Sequence, residues 1–391
     1  MGTGFSPLDE RLGLLPGSQF TPWLVDSIVC LGARLPFGQV PALRAHFTGV
    51  TVSAETVRRL TETAGTAAVA SEMAAVEGLE QTLPDPPPGP PVQQLSVDGA
   101  MVPLVGGEWA EAKTLAVGTV TGTGDAVRAT ELSYFSRLTD ADTFGWLATG
   151  ETHRRGTTTA RTVVAVVDGA AWCQSFIDLH RPDAVRILDF PHALEHLGAV
   201  AQAVFGPGTV AASEWLGIQA TALRHGQEGA VLAPLMDVAS LGGLGNETRH
   251  LVTRTHAYLA TRRDQIQYQV FVAAGYPIGS GCVESANKVV VEARLKGPGM
   301  HWARSNVDPM LALRTVIAND RWTEVWPVIW EQLRHPPRHP PLMPVPPIAA
   351  PPPARTAPAP APPRPRAKTI VDGRPTADHP WRRSSPYPAK C

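Results

Sequence analysis

The sequence predicts a mixed α/β protein, and three observations lead there. Residues 95–137 hold three β-patterned runs joined by turns: LSVDGAMVPLV ending in Gly106-Gly107, then KTLAVGTV over 113–120, then 131–137. Two further apolar runs, RTVVAVV at 161–167 and the short one at 184–188, each follow a helical segment, and from 197 to about 275 helical pieces succeed one another with few strand signals. Three strands, helix, strand, helix, strand, helix describes a mixed layer rather than an alternating parallel one.

Length and composition bound the function. With 391 residues, 43% of them hydrophobic, the chain can build one large core or two ordinary ones. Lys plus Arg number 34 against 35 for Asp plus Glu, so any surface for a polyanion must come from local clustering. Four cysteines (Cys30, Cys173, Cys282, Cys391) without a C-x-x-C pair argue against a disulfide framework or a zinc knuckle and suggest a reducing compartment. No apolar stretch approaches the roughly 20 residues that span a bilayer, and the N-terminus lacks a signal-peptide layout. A cytoplasmic protein with no membrane partner is the expectation.

Taken in order, residues 37–63 hold a helical stretch, a turn at Gly49, and a second helix opened by Ser53 as N-cap, from which Arg58 and Arg59 project. That is the rhythm of a helix-turn-helix whose second helix offers cations to DNA, although an ordinary helical hairpin has the same pattern. The run PDPPPGPP at 84–91 is a stiff spacer. The expected organisation is therefore a small helical domain at 1–83, a linker at 84–94, and an α/β domain at 95–334 with an all-helical insertion near 197–275. A tail at 335–391, too rich in Pro, Ala and Arg to bury a core, is expected to be disordered. Within the insertion the helical pieces are 199–205, 213–224, 246–258 and 260–273.

Three carboxylates carry the chemistry. Asp98 lies in the first strand, Asp168 directly follows the fourth, and Glu284 follows the glycine-rich entry YPIGSG. Carboxylates are hard oxygen ligands suited to Mg²⁺ or Mn²⁺. Set at neighbouring strand ends, they let two ions about 3.5–4 Å apart clamp the attacking and leaving oxygens of a phosphoryl transfer. A ribonuclease H-like core is built this way. Lys288 stands four residues beyond Glu284, so acid and phosphate-binding cation share a helical face, with Arg294 and Lys296 further along. Arg154, Arg155, Arg161, Arg249, Arg262 and Arg263 are further candidate phosphate contacts.

Residues 192–196 read HALEH, the H-x-x-E-H spacing of an inverted zinc protease, whose third ligand would have to come from an unmarked Glu such as Glu247. That reading leaves Asp98, Asp168 and the basic helix around Glu284 without a role.

The blocks SVDGAMVPL, ETHRRG, VVAVVDGAAW, ILDFPHALEHL and YPIGSGCVESANKVVVEARLKGPGMHW, in this order over about 36–322, resemble those of DDE transposases of bacterial insertion sequences, specifically the mutator-like ISKra group. The resemblance implies a ribonuclease H-like catalytic core, two divalent ions (Mg²⁺ or Mn²⁺), and cutting and joining of double-stranded DNA at transposon terminal repeats and target sites. It also implies self-association to pair two ends, and a bacterial, nucleoid-associated location. By position Asp98 matches the first catalytic acid and Glu284 the last. Asp168, in a D-G context, is favoured as the second, with Asp189 and His192 of D-x-x-H as supporting residues. Asp189 also ends an apolar strand and stays open as the alternative. A DNA-binding remnant of a transposase without catalysis is the alternative from another class.

Overall fold

The computed structural model describes residues 11–15, 19–240 and 244–335, with the two pairs 370–371 and 374–375. At its centre is one five-stranded sheet. β1 (Val92–Pro103), β2 (Trp109–Thr121) and β3 (Arg128–Arg137) form an antiparallel meander, while β4 (Thr162–Val167) and β5 (Val185–Leu188) add in parallel on the free side of β1, giving the order β3-β2-β1-β4-β5. The three-plus-two division expected from the sequence is observed. β4 is buried on both faces, which is why it reads as an unbroken apolar run instead of alternating.

The sheet separates two apolar layers. On one face Leu95, Val97, Leu115, Val117, Phe135, Val163 and Val167 pack under α4 (Ala141–Arg154) and α5 (Ala171–His180), the helices that connect β3 to β4 and β4 to β5. On the other face Val164, Val166, Ile187 and Leu188 pack against a group of helices: α6 (Phe190–Phe205), α7 (Val210–Arg224), α8 (Glu228–Ser240), α9 (Asn246–Ala260) and α10 (Tyr268–Ala273). These are the expected insertion, starting earlier than the sequence suggested. Phe190 follows β5 almost directly, because Asp189 caps the helix and Pro191 occupies its first turn. Over the rest of that face, Ala100, Val102, Ala110 and Ala112 are covered by a helical run that changes pitch. It comprises α11 (Gly281–Ala286), a π-helical segment Asn287–Glu292 and the short α12 (Ala293–Leu295), and α13 (Arg304–Ala318) packs beside it.

The helices ahead of the spacer are α1 (Pro22–Arg34), α2 (Val40–Thr48) and α3 (Ala54–Thr82). α2 ends at Gly49, whose φ of 68° is the left-handed C-cap glycine tolerates, and Ser53 caps α3 by accepting from the Thr56 N–H at 3.0 Å, so the expected helix–turn–helix connection is present. The expected separation into domains is not. Val25, Ile28, Val57, Leu60 and Ala64 share a core with Ala312 and Leu313 of α13 and with Ile329 of α14 (Trp322–Arg334), and residues 1–340 form one compact unit. The spacer itself is tied down: the Thr159 hydroxyl donates to the Pro87 carbonyl at 2.6 Å and accepts from the Gly89 N–H at 2.9 Å. Proline stiffness here docks a strap instead of separating two bodies.

Residues 341–391 form a second unit, in which Ile370–Val371 pairs antiparallel with Arg374–Pro375. The expectation of a disordered tail otherwise lies outside the described residues. Among the described residues no helix is long and apolar enough to cross a membrane.

Candidate functional site: an acid cluster at the sheet edge

Asp98 sits mid-strand on β1, the partner of Thr114 in the ladder with β2, on the side of the sheet that meets α11. Its Oδ1 accepts from the Gly99 N–H at 2.7 Å and its Oδ2 from the Asn287 amide at 2.8 Å. Its carboxyl is held above the usual range. Burial is the largest cause, the Gly99 N–H opposes it, the charges of Asp168 and Glu284 raise it further, and the Asn287 amide opposes again. The charges of the other two acids named from the sequence are thus both felt at Asp98. Asp98 and Asp168 are half-buried, and Glu284 is exposed at the rim.

Asp168 follows the last residue of β4. Its Oδ1 accepts from the Ala170 N–H at 2.9 Å and from the Cys173 thiol at 3.3 Å, and its Oδ2 has no partner among the described residues. The next residue, Gly169, turns the chain with φ 81°. Two side chains of the helical insertion close on this turn: the Tyr258 hydroxyl donates to the Asp168 carbonyl, and the Arg262 guanidinium donates to the Gly169 carbonyl at 2.8 Å. Arg262 also lies over the Tyr258 ring, 4.0 Å from its centroid. A Cβ on residue 169 would fall 2.6 Å from Arg262 Nε and 2.8 Å from the Tyr258 hydroxyl, so the clamp requires glycine both for φ and for space.

The competing acid does different work. Asp189 is 4% exposed, and both its oxygens are engaged: Oδ2 accepts from the His192 N–H at 2.9 Å as the α6 cap, and Oδ1 accepts from the Ser280 N–H at 2.6 Å. It ties the start of α6 to the residue that precedes α11, and so helps to seat the helix carrying Glu284. Both Asp189 oxygens thus accept from backbone N–H groups, whereas one Asp168 oxygen has no partner among the described residues.

His192 and His196 lie on one face of α6, ring centroids 4.9 Å apart and nearly perpendicular. His192 Nδ1 is 3.4 Å from Glu195, and His196 stacks on Tyr258 at 4.3 Å. Burial, then the charges of His192 and Arg254, hold His196 below the usual imidazole range, with Glu195 opposing and Arg262 adding a smaller push. Among the described residues no three His, Cys, Asp or Glu side chains are drawn together as a ready cage for an ion, at HALEH or at the acids.

The predicted DNA-contacting cations fare unequally. Lys288 is exposed, in the π-helical segment that follows Glu284, so the uniform helical face expected for the pair is interrupted. Arg59 is exposed near the start of α3, while Arg58 is ion-paired with Glu55 and Glu62. Lys296 pairs with Glu292 at 2.7 Å and Arg154 with Glu324 at 2.9 Å. Arg155 donates to the Glu131 carbonyl at 2.7 Å. Arg294 must be withdrawn from that set. It is 2% exposed, donates to the Gly32 carbonyl at 3.2 Å, and lies between the rings of Phe37 and Trp302, so it fastens α1 to the core and is not presented to a duplex.

Sequence reasoning missed Asn287, Tyr258 and, as a clamp, Arg262. Asn287 stands three residues after Glu284, which could have flagged it as the next inward position; no local pattern marks Tyr258, which meets Asp168 across 90 residues of chain. Compared with models of known protein families and with curated proteins, the chain matches none.

Proposed function

We propose that this chain is a DDE transposase of the mutator-like ISKra kind, with a ribonuclease H-like core that cuts and joins double-stranded DNA at transposon ends. The observation that supports the reading most is that the charges of Asp168, at the end of β4, and of Glu284, on α11, both act on the half-buried Asp98 carboxyl of β1. The strand order β3-β2-β1-β4-β5, with an antiparallel meander and two parallel additions, supports the ribonuclease H-like part.

The donors fit a divalent ion of the Mg²⁺ or Mn²⁺ class. All three are hard oxygen ligands, and like charges facing one another are stabilised by a cation between them. Asn287 adds a fitting detail: its amide nitrogen is spoken for by Asp98, while its Oδ1 is buried with no hydrogen-bond partner. Asp98, Asp168 and Glu284 would hold the two ions, which when bound supply Lewis-acid polarisation of the phosphoryl oxygens and activation of the nucleophile. The chain's own residues do the positioning. Asn287 orients the Asp98 carboxylate, the Tyr258–Arg262 clamp holds the Asp168 turn, and the Asp189 bridge seats α11. Lys288, exposed beside Glu284, provides charge for a phosphate on the approaching strand. Pairing of two transposon ends implies that two or more chains assemble on DNA.

Cleavage of an end-labelled duplex bearing the element's own end, with Mg²⁺ or Mn²⁺, tests the reading. Asp98→Ala and Glu284→Ala should abolish cleavage while leaving duplex affinity within about twofold, since the acids are not phosphate contacts. Wild-type-like cleavage by either variant overturns the assignment, and a wild type that binds ends but never nicks them favours a DNA-binding protein without catalysis.

A further inference from the structure

Beside the Asp168 turn, α9 packs against α6. At the near end of this helix pair is the Tyr258 ring, with His196 stacked on it and Arg262 over it. Further along is a cavity of about 650 Å³ lined by Ala203 of α6 and by Glu247, Thr248, His250, Leu251 and Arg254 of α9. Of these lining residues Arg254 comes closest in sequence to Tyr258, one turn before it. It is exposed and has no acidic partner among the described residues, and its charge is felt at His196. The acids along this path are Glu195, 3.4 Å from His192 Nδ1, and Glu247, two turns back from Arg254 in the cavity lining.

We propose that the surface between α6 and α9 is the path of one DNA strand leaving the three acids, with Arg254 as its principal backbone-phosphate contact and the His196–Tyr258 stack as its inner wall. The inference rests on the transposase reading and deepens it by naming the surface that takes the strand. The chemistry is that of a phosphodiester: a guanidinium gives two parallel N–H donors to phosphate oxygens. Arg262 adds a second positive charge, held over the Tyr258 ring. The clamp adds a consequence. Tyr258 of α9 and Arg262, two residues past its end, hold the Asp168–Gly169 carbonyls, so a strand seated on α9 is placed in fixed relation to the second acid.

The test is the salt dependence of binding to a fluorescein-labelled duplex of arbitrary sequence, read by anisotropy on the full chain. Each lost phosphate contact lowers the slope of log K against log salt by about 0.9 in magnitude. Arg254→Ala should lower it by that amount and weaken binding severalfold at low salt, with an unchanged thermal midpoint because the residue is exposed; Arg254→Lys should keep the wild-type slope. If the wild type binds and Arg254→Ala retains its full slope and affinity, this surface is not the strand's path, while the transposase reading stands on its own cleavage test. If Arg254→Lys loses the slope as fully as Arg254→Ala, the charge is not what acts and the proposal falls. A wild type with no affinity for duplex in any salt removes both readings together.

Discussion

Replacing Gly169 with alanine tests the clamp most directly, because the structure sets the cost in two parts. At φ 81° an alanine incurs roughly 1–2 kcal/mol of left-handed strain. Its Cβ would also fall 2.6 Å from Arg262 Nε and 2.8 Å from the Tyr258 hydroxyl, so both side chains must withdraw. Breaking the charged hydrogen bond from Arg262 to the Gly169 carbonyl costs about 1.5–3 kcal/mol. The lower entropy of the unfolded alanine chain returns about 0.4–1 kcal/mol. The net is a destabilisation of about 2–4 kcal/mol. A control isolates the strain: Gly208 has φ 72° with open space where its Cβ would go, so Gly208→Ala should lose only about 1 kcal/mol. Urea unfolding of both variants gives the stabilities, and end-labelled duplex cleavage gives the effect on Asp168, where a displacement of about 1 Å is enough for a loss on the order of a hundredfold. Gly169→Ala no less stable than Gly208→Ala and cutting DNA at the wild-type rate would refute the clamp.

Three other outcomes follow from the same geometry. Asp189→Ala removes the α6 cap and leaves the buried Ser280 N–H unpaired, and should cost about 2–4 kcal/mol in denaturant unfolding; Asp168→Asn should keep the fold and lose cleavage, and the reverse pattern would exchange the two acids' roles. His180 is held down to about 4 by burial, with the Gly145 carbonyl opposing, so above pH 6.5 it has no effect on stability. As pH falls from 6.5 toward 4 the unfolded chain takes up a proton that the folded one refuses, and stability drops by at most about 3 kcal/mol, levelling below pH 4; thermal midpoints across that window should flatten in His180→Leu and remain sloped if the burial argument is wrong. Arg294→Met, which replaces a guanidinium buried between two aromatic rings, should leave the salt dependence of duplex binding unchanged, whereas a reduced slope would place Arg294 back among the phosphate contacts.

The strands were legible because each writes its environment into a period. β1 to β3 carry turns between them, and β4 is apolar throughout because both its faces are covered. Helix boundaries were less so. α8 escaped notice because Pro234 lies inside it, and α6 was begun too late although Asp189 and Pro191 are themselves a start signal. The same residues, D-F-P-H, also fit the spacing of a metal site, so one short string supports two readings.

What the sequence did not carry is long-range pairing. Asp98 meets Asn287 across 189 residues, Asp168 meets Tyr258 across 90, and Arg294 reaches Gly32 across 262. The last of these explains the misplaced arginine. A basic residue after a Glu–Lys pair reads as a solvated face when the helix is uniform, but the π-helical segment Asn287–Glu292 resets the register, and Arg294 turns inward to Phe37 and Trp302. The reset also bears on the site. Glu284 precedes the segment and stays at the rim, while Asn287, its first residue, is buried against Asp98. One change of pitch thus divides the helix into an acid offered to the cluster and an amide that holds the acid opposite. Local pattern could nominate Glu284, but only the folded chain gives Asn287 its task.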